Sequence, residues 1–146
     1  MIAQTIQLAL APVFVLVAIG NILNILSGRL SRVVDRVRAI QARHGATTGP
    51  EHDAIVREMR ICDRRITLIT QAIRLLVVSG IGIGVTVLAL FVEELLGVDL
   101  GAVAAMVFLA AIGVLMWALL LFLREIQQAS AALRVPEDYL ELHREL

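Results

Sequence analysis

The sequence predicts an all-α membrane protein: three transmembrane helices, with a cytoplasmic antiparallel coiled-coil hairpin between the first and the second. Three observations carry this expectation. Three apolar stretches are long enough to cross a bilayer, which takes about 20 residues. All the basic residues fall on one side of those stretches. A heptad pattern runs through the polar region between the first two. Of the 146 residues, 59% are apolar and 18% charged, against about 45–50% and about 25% in a soluble domain. That excludes a disordered chain and a disulfide scaffold, and it argues against a soluble monomer. The length predicts a single membrane domain over 1–146. A net charge of zero names no partner.

The first span covers about 5–27 and carries no charge. No basic region precedes it and it is too long for the apolar part of a signal peptide, so it is expected to be retained. Pro12 is tolerated within it. The second span, about 75–92, is the shortest. Arg74 stands at its start, from where it can snorkel to the headgroups. The third, about 100–123, is closed by Arg124. Its helix is expected to continue through Glu125 to Leu133. Pro136 then breaks it and opens a short helix whose Tyr139, Leu140 and Leu142 can dock on the hairpin or the membrane surface.

All 13 basic residues are Arg: ten lie between Arg29 and Arg74, and three follow Leu123. The connection between the second and third spans carries Glu93, Glu94 and Asp99 instead. The positive-inside rule then puts the 28–74 hairpin and the 124–146 tail in the cytoplasm, with the N-terminus outside. The expected location is a cell inner membrane, crossed several times.

In the hairpin, apolar residues recur at Leu16, Ile19, Leu23, Leu26, Leu30, Val33, Val37 and Ile40. The alternating steps of three and four make a heptad seam. It resumes at Ile55, Met59, Cys62, Ile66, Ile69, Ile73 and Leu76, after a turn-forming stretch at 45–50 with two Gly and one Pro. Folding the chain about that turn sets Ile40 against Ile55, Val37 against Met59, Val33 against Cys62 and Leu30 against Ile66 in one register. Arg36 then lies near Glu58 and Arg43 near Glu51, while Arg29 opposes Arg65. The like-charged pair is resolved if lipid phosphates bind there, or if both side chains swing into water. Arg29, Arg65 and Arg74 are therefore candidate phosphate contacts, with anionic lipid headgroups as partners. Two Arg-x-x-Asp-Arg runs, 32–36 and 60–64, put Arg and Asp on one helix face. Acids interrupt the basic stripes and no aromatic but His lies among them, so no nucleic-acid partner is expected.

The runs 9–16, 20–24 and 29–36 resemble the bacterial family catalogued as domain of unknown function 2721. The similar features are Ala11-Pro12 in the first span, Asn24 at its inner end and the Arg32-x-x-Asp35-Arg36 that follows. Asp63-Arg64-Arg65 and the two closing spans fit the same layout, so the resemblance covers nearly the whole chain. It implies a small multi-span membrane protein and carries over no activity and no catalytic residue.

No residue pattern predicts catalysis or a cofactor. Ser27, Ser31, Ser79 and Ser130 have no His–acid partners at suggestive positions, so the chain is read as not an enzyme. His44 and His52 share the layer nearest the turn and are the only candidate metal ligands, although a site needs three or four. Otherwise they form a solvated last layer. Cys62, the single cysteine, reads as a packing residue. Gly80 and Gly84 form a small-xxx-small pair suited to close helix packing, and Gly97, Gly101 and Ala105 repeat that spacing. Asn21 and Asn24 lie off the seam, on the face that also carries Gln7 and Gly28. Their expected partners are the third span or another subunit. The function these features predict is structural or interactive: a homo-oligomer with a protruding coiled coil, or alternatively an oligomeric channel lined by the polar face of the first span.

Overall fold

The computed structural model describes residues 2–132, which form three helices: α1 (Ile2–His44), α2 (Pro50–Leu96) and α3 (Gly101–Ala132). No strand occurs among the described residues. The tail helix expected from Pro136 lies outside them. Each of the three helices is long and apolar enough to cross a membrane. At 1.5 Å per residue α1 and α2 run for about 65 and about 70 Å, more than twice a hydrocarbon core of about 30 Å. The surplus length coincides with the Arg-rich halves of both helices. Large apolar side chains such as Phe14, Leu88, Leu109 and Trp117 point outward, as they do where the solvent is lipid.

Two short turns connect the helices. α1 ends with Arg43 and His44 in its last turn, a favourable placing of positive charge at a helix C-terminus. Gly49 then adopts φ 69°, a conformation that glycine reaches without the clash a side chain would bring. Pro50 occupies the first turn of α2, with Glu51 and Asp53 beside it. At the other end of α2, Gly97 takes a left-handed conformation, φ 67°, and its N–H bonds to the Glu93 carbonyl at 2.9 Å. The chain reverses within 97–100 and enters α3.

α2 is the central element and packs against both of the others. Ion pairs Arg43–Glu51 and Arg36–Glu58, with Gly80 lying against Leu16 and Ile19, fix an antiparallel α1–α2 register. In it the buried residues of α1 (Ile19, Leu26, Val33 and Ile40) meet Leu76, Ile69, Cys62 and Ile55 of α2 in one continuous cluster. Leu30, Val37, Met59 and Ile66 are partly buried against it. The α2–α3 contact is built differently. On α2 the buried residues toward α3 are Ala72, Ser79 and Thr86; on α3 they are Ala104, Ala111 and Ala118. Both series step by seven, so small side chains line the contact and the two backbones come close. The Ser79 hydroxyl donates to the Ala111 carbonyl at 2.7 Å.

Candidate functional site

The most distinctive group in the molecule is Glu125, one heptad beyond Ala118 on the same stripe of α3. Its side chain is fully buried. A carboxylate removed from water has to be paired and hydrogen-bonded, and two arginines do this. Arg29 of α1 reaches Oε2 through Nε at 2.9 Å and Nη2 at 2.8 Å. Arg65 of α2 reaches Oε1 through Nε at 3.1 Å and Nη2 at 2.9 Å. Each oxygen is held by one guanidinium edge, and one residue joins all three helices. The Arg29 guanidinium also lies 5.8 Å from the Phe122 ring centroid, within cation–π range.

The like-charged opposition of Arg29 and Arg65 is therefore bridged inside the chain, by a carboxylate that lies outside the heptad seam and the charge pairs predicted from the sequence. A signal was present in the seven-residue step Ala104, Ala111, Ala118, Glu125. Beyond the bridge a groove of about 680 Å³ opens between α1 and α2, lined among the described residues by Arg29, Arg32, Arg36, Glu58, Ile61 and Arg65, with Val33, Cys62 and Ala129 as apolar wall. Arg36 is tied to Glu58, Nε to Oε1 at 2.7 Å.

The other residues singled out from the sequence fall in varied places. Arg74 is exposed on α2, away from the Glu125 bridge. Asn21 and Asn24 are exposed on α1 and make no hydrogen bond among the described residues, so α3 supplies them no partner. Gly28 and Gln7 are exposed too. A side chain at Gly80 would make only ordinary contact with Leu16 and Ile19, and one at Gly84 would meet nothing. Gly82 is the point of tight approach instead: a Cβ there would lie 2.9 Å from that of Ala111. Gly97 caps α2 and lies outside any helix face, and Gly101 begins α3 near the Glu93 and Asp99 carboxylates. His44 and His52 meet at the hairpin tip, ring centroids 4.5 Å apart and planes tilted by 57°. No group of three metal-ligating side chains occurs among the described residues. Cys62 is buried, and burial pushes its thiol pKa up.

A family model described as "Protein of unknown function (DUF2721)" matches residues 9–135. No curated protein and no solved structure matches the chain.

Proposed function

The chain belongs to that family of proteins of unknown function, and from this premise we propose that it is a non-enzymatic inner-membrane protein assembled from several copies. Its α1–α2 hairpin is an antiparallel coiled coil standing in the cytoplasm for self-association or partner binding. The observation that carries the oligomeric reading is the pair Asn21 and Asn24. Both lie on the surface of a membrane helix, and no residue described in this chain bonds to them. An amide facing hydrocarbon is costly unless it finds a partner. The face α1 turns away from α2 is open, so a second copy can offer one. Gly20 and Gly28 on the same helix leave room for close approach. Anionic headgroups of the inner leaflet are natural neighbours of the exposed Arg74.

A pore lined by this face is less well supported. The heptad row of Gln7, Asn21 and Gly28 includes Phe14, which is 69% exposed and would set an apolar ring in the lumen.

The test is native mass spectrometry of the parent and an Asn21→Leu/Asn24→Leu variant, with ion flux measured in liposomes. The expected result is a lower subunit number in the variant, with normal membrane insertion and no flux in either. An unchanged oligomer, or a monomeric parent, overturns the reading. Flux that the variant abolishes turns it into a channel.

A further inference from the structure

We propose that the arginine groove beside the Glu125 bridge is a binding site for an organic phosphate, held chiefly by Arg32. Four guanidiniums line it, those of Arg29, Arg32, Arg36 and Arg65. Two carboxylates oppose them, Glu58 in the groove and Glu125 beneath it. An excess of two positive charges remains in one concavity. Arg36 is committed to Glu58. Arg32 is in no ion pair among the described residues. Arg29 and Arg65 give Nε and Nη2 to Glu125, which leaves Nη1 of each uncommitted among the described residues. Glu125 also fixes where those two side chains sit, so their remaining donors are held in place before any ligand arrives.

The chemistry fits phosphate in particular. A guanidinium presents parallel N–H donors that match phosphate oxygens two at a time. Val33, Ile61, Cys62 and Ala129 form an apolar wall, and charge pairing strengthens beside low-dielectric surface. The volume of about 680 Å³ is within the range of about 300–1,000 Å³ typical of small-molecule sites, larger than a bare ion requires. The ligand is therefore a phosphate ester. Two sources carry that group next to a membrane: the headgroup of an anionic phospholipid and a soluble phosphoester.

Native mass spectrometry of the detergent-solubilised full chain tests this with two phosphate probes, sn-glycerol 3-phosphate and phosphatidylglycerol. Glycerol and diacylglycerol are their phosphate-free controls. At least one phosphate probe is expected to bind saturably where its control does not. Arg32→Ala is expected to weaken that binding about fivefold, the scale of one Arg–phosphate contact. Arg57→Ala, which removes the same charge from an exposed position outside the lining described, is expected to leave it unchanged. Binding of glycerol phosphate identifies a soluble ligand, and binding of phosphatidylglycerol alone identifies the lipid. Equal loss in the two variants, or no binding beyond the controls, overturns the proposal. The same spectra report subunit number as a separate mass, so a failure of the oligomeric reading is distinguishable from a failure of this one.

Discussion

Ser79 on α2 donates its hydroxyl hydrogen to the backbone carbonyl of Ala111 on α3 at 2.7 Å, and two heptads along the same contact Arg65 meets Glu125. Ser79 lies fourteen residues after Arg65, and Ala111 fourteen before Glu125. The polar bond within the apolar half and the ion pair at its edge thus belong to one antiparallel register. Thr86 opposite Ala104 and Ala72 opposite Ala118 complete it.

Removing the carboxylate alone leaves two partly buried arginines facing each other. Glu125→Ala is expected to destabilise the chain by about 3–5 kcal/mol, the cost of breaking a buried ion pair from one side. Replacing the whole group at once, as Arg29→Met, Arg65→Met and Glu125→Leu, is expected to recover most of that loss. Thermal unfolding in detergent reads both. A triple variant no more stable than Glu125→Ala would mean the ion cluster itself, and not the unpaired charge, sets the stability.

The two glycines two residues apart in α2 are expected to behave oppositely. Gly82→Ala places a methyl 2.9 Å from the Ala111 Cβ, so α2 and α3 must separate, at about 1–3 kcal/mol. Gly84→Ala meets nothing within 4 Å and is expected to be neutral. The comparison requires only the unfolding midpoints of the two variants.

Burial raises the Cys62 pKa, so at a given pH the folded protein holds less thiolate than an exposed cysteine would. Alkylation by iodoacetamide is expected to be slower at Cys62 than at Thr48→Cys in the exposed turn, and its rise with pH is displaced upward. The same shift links stability to pH. Above the ordinary thiol pKa of about 8.5, the unfolded chain loses a proton that the folded chain keeps, so stability falls as pH rises. A Cys62 alkylation rate equal to that of the turn cysteine would contradict its burial.

Orientation is open to direct labelling. With the hairpin inside, an impermeant maleimide applied to intact cells is expected to modify Glu93→Cys and to spare Thr48→Cys. The reverse pattern inverts the topology.

The two helix contacts were unequally legible in the sequence. Along α1 and the first half of α2, large apolar residues such as Leu26, Val33 and Ile40 alternate with Arg, Asp and Gln, so period and phase are both visible. Between α2 and α3 every face is apolar because lipid accepts every face. Hydropathy there carries no phase, and only side-chain size does: Ala72, Ser79 and Thr86 against Ala104, Ala111 and Ala118. The Gly80/Gly84 spacing is the more conspicuous small-residue signal, yet Gly82 makes the close approach. Glu125 carries a weaker sequence signal still. A carboxylate just past a span ordinarily marks return to water, and its burial follows only from two arginines 60 and 96 residues away.

That separation along the chain also sets an order in time. Arg29 and Arg65 are synthesised first, and the carboxylate that reconciles them comes only once α3 has been made. A polypeptide cut short before residue 125 carries the full hairpin yet keeps two guanidiniums in mutual repulsion at its base. The junction of the three helices is therefore neutralised only when the last of them is in place.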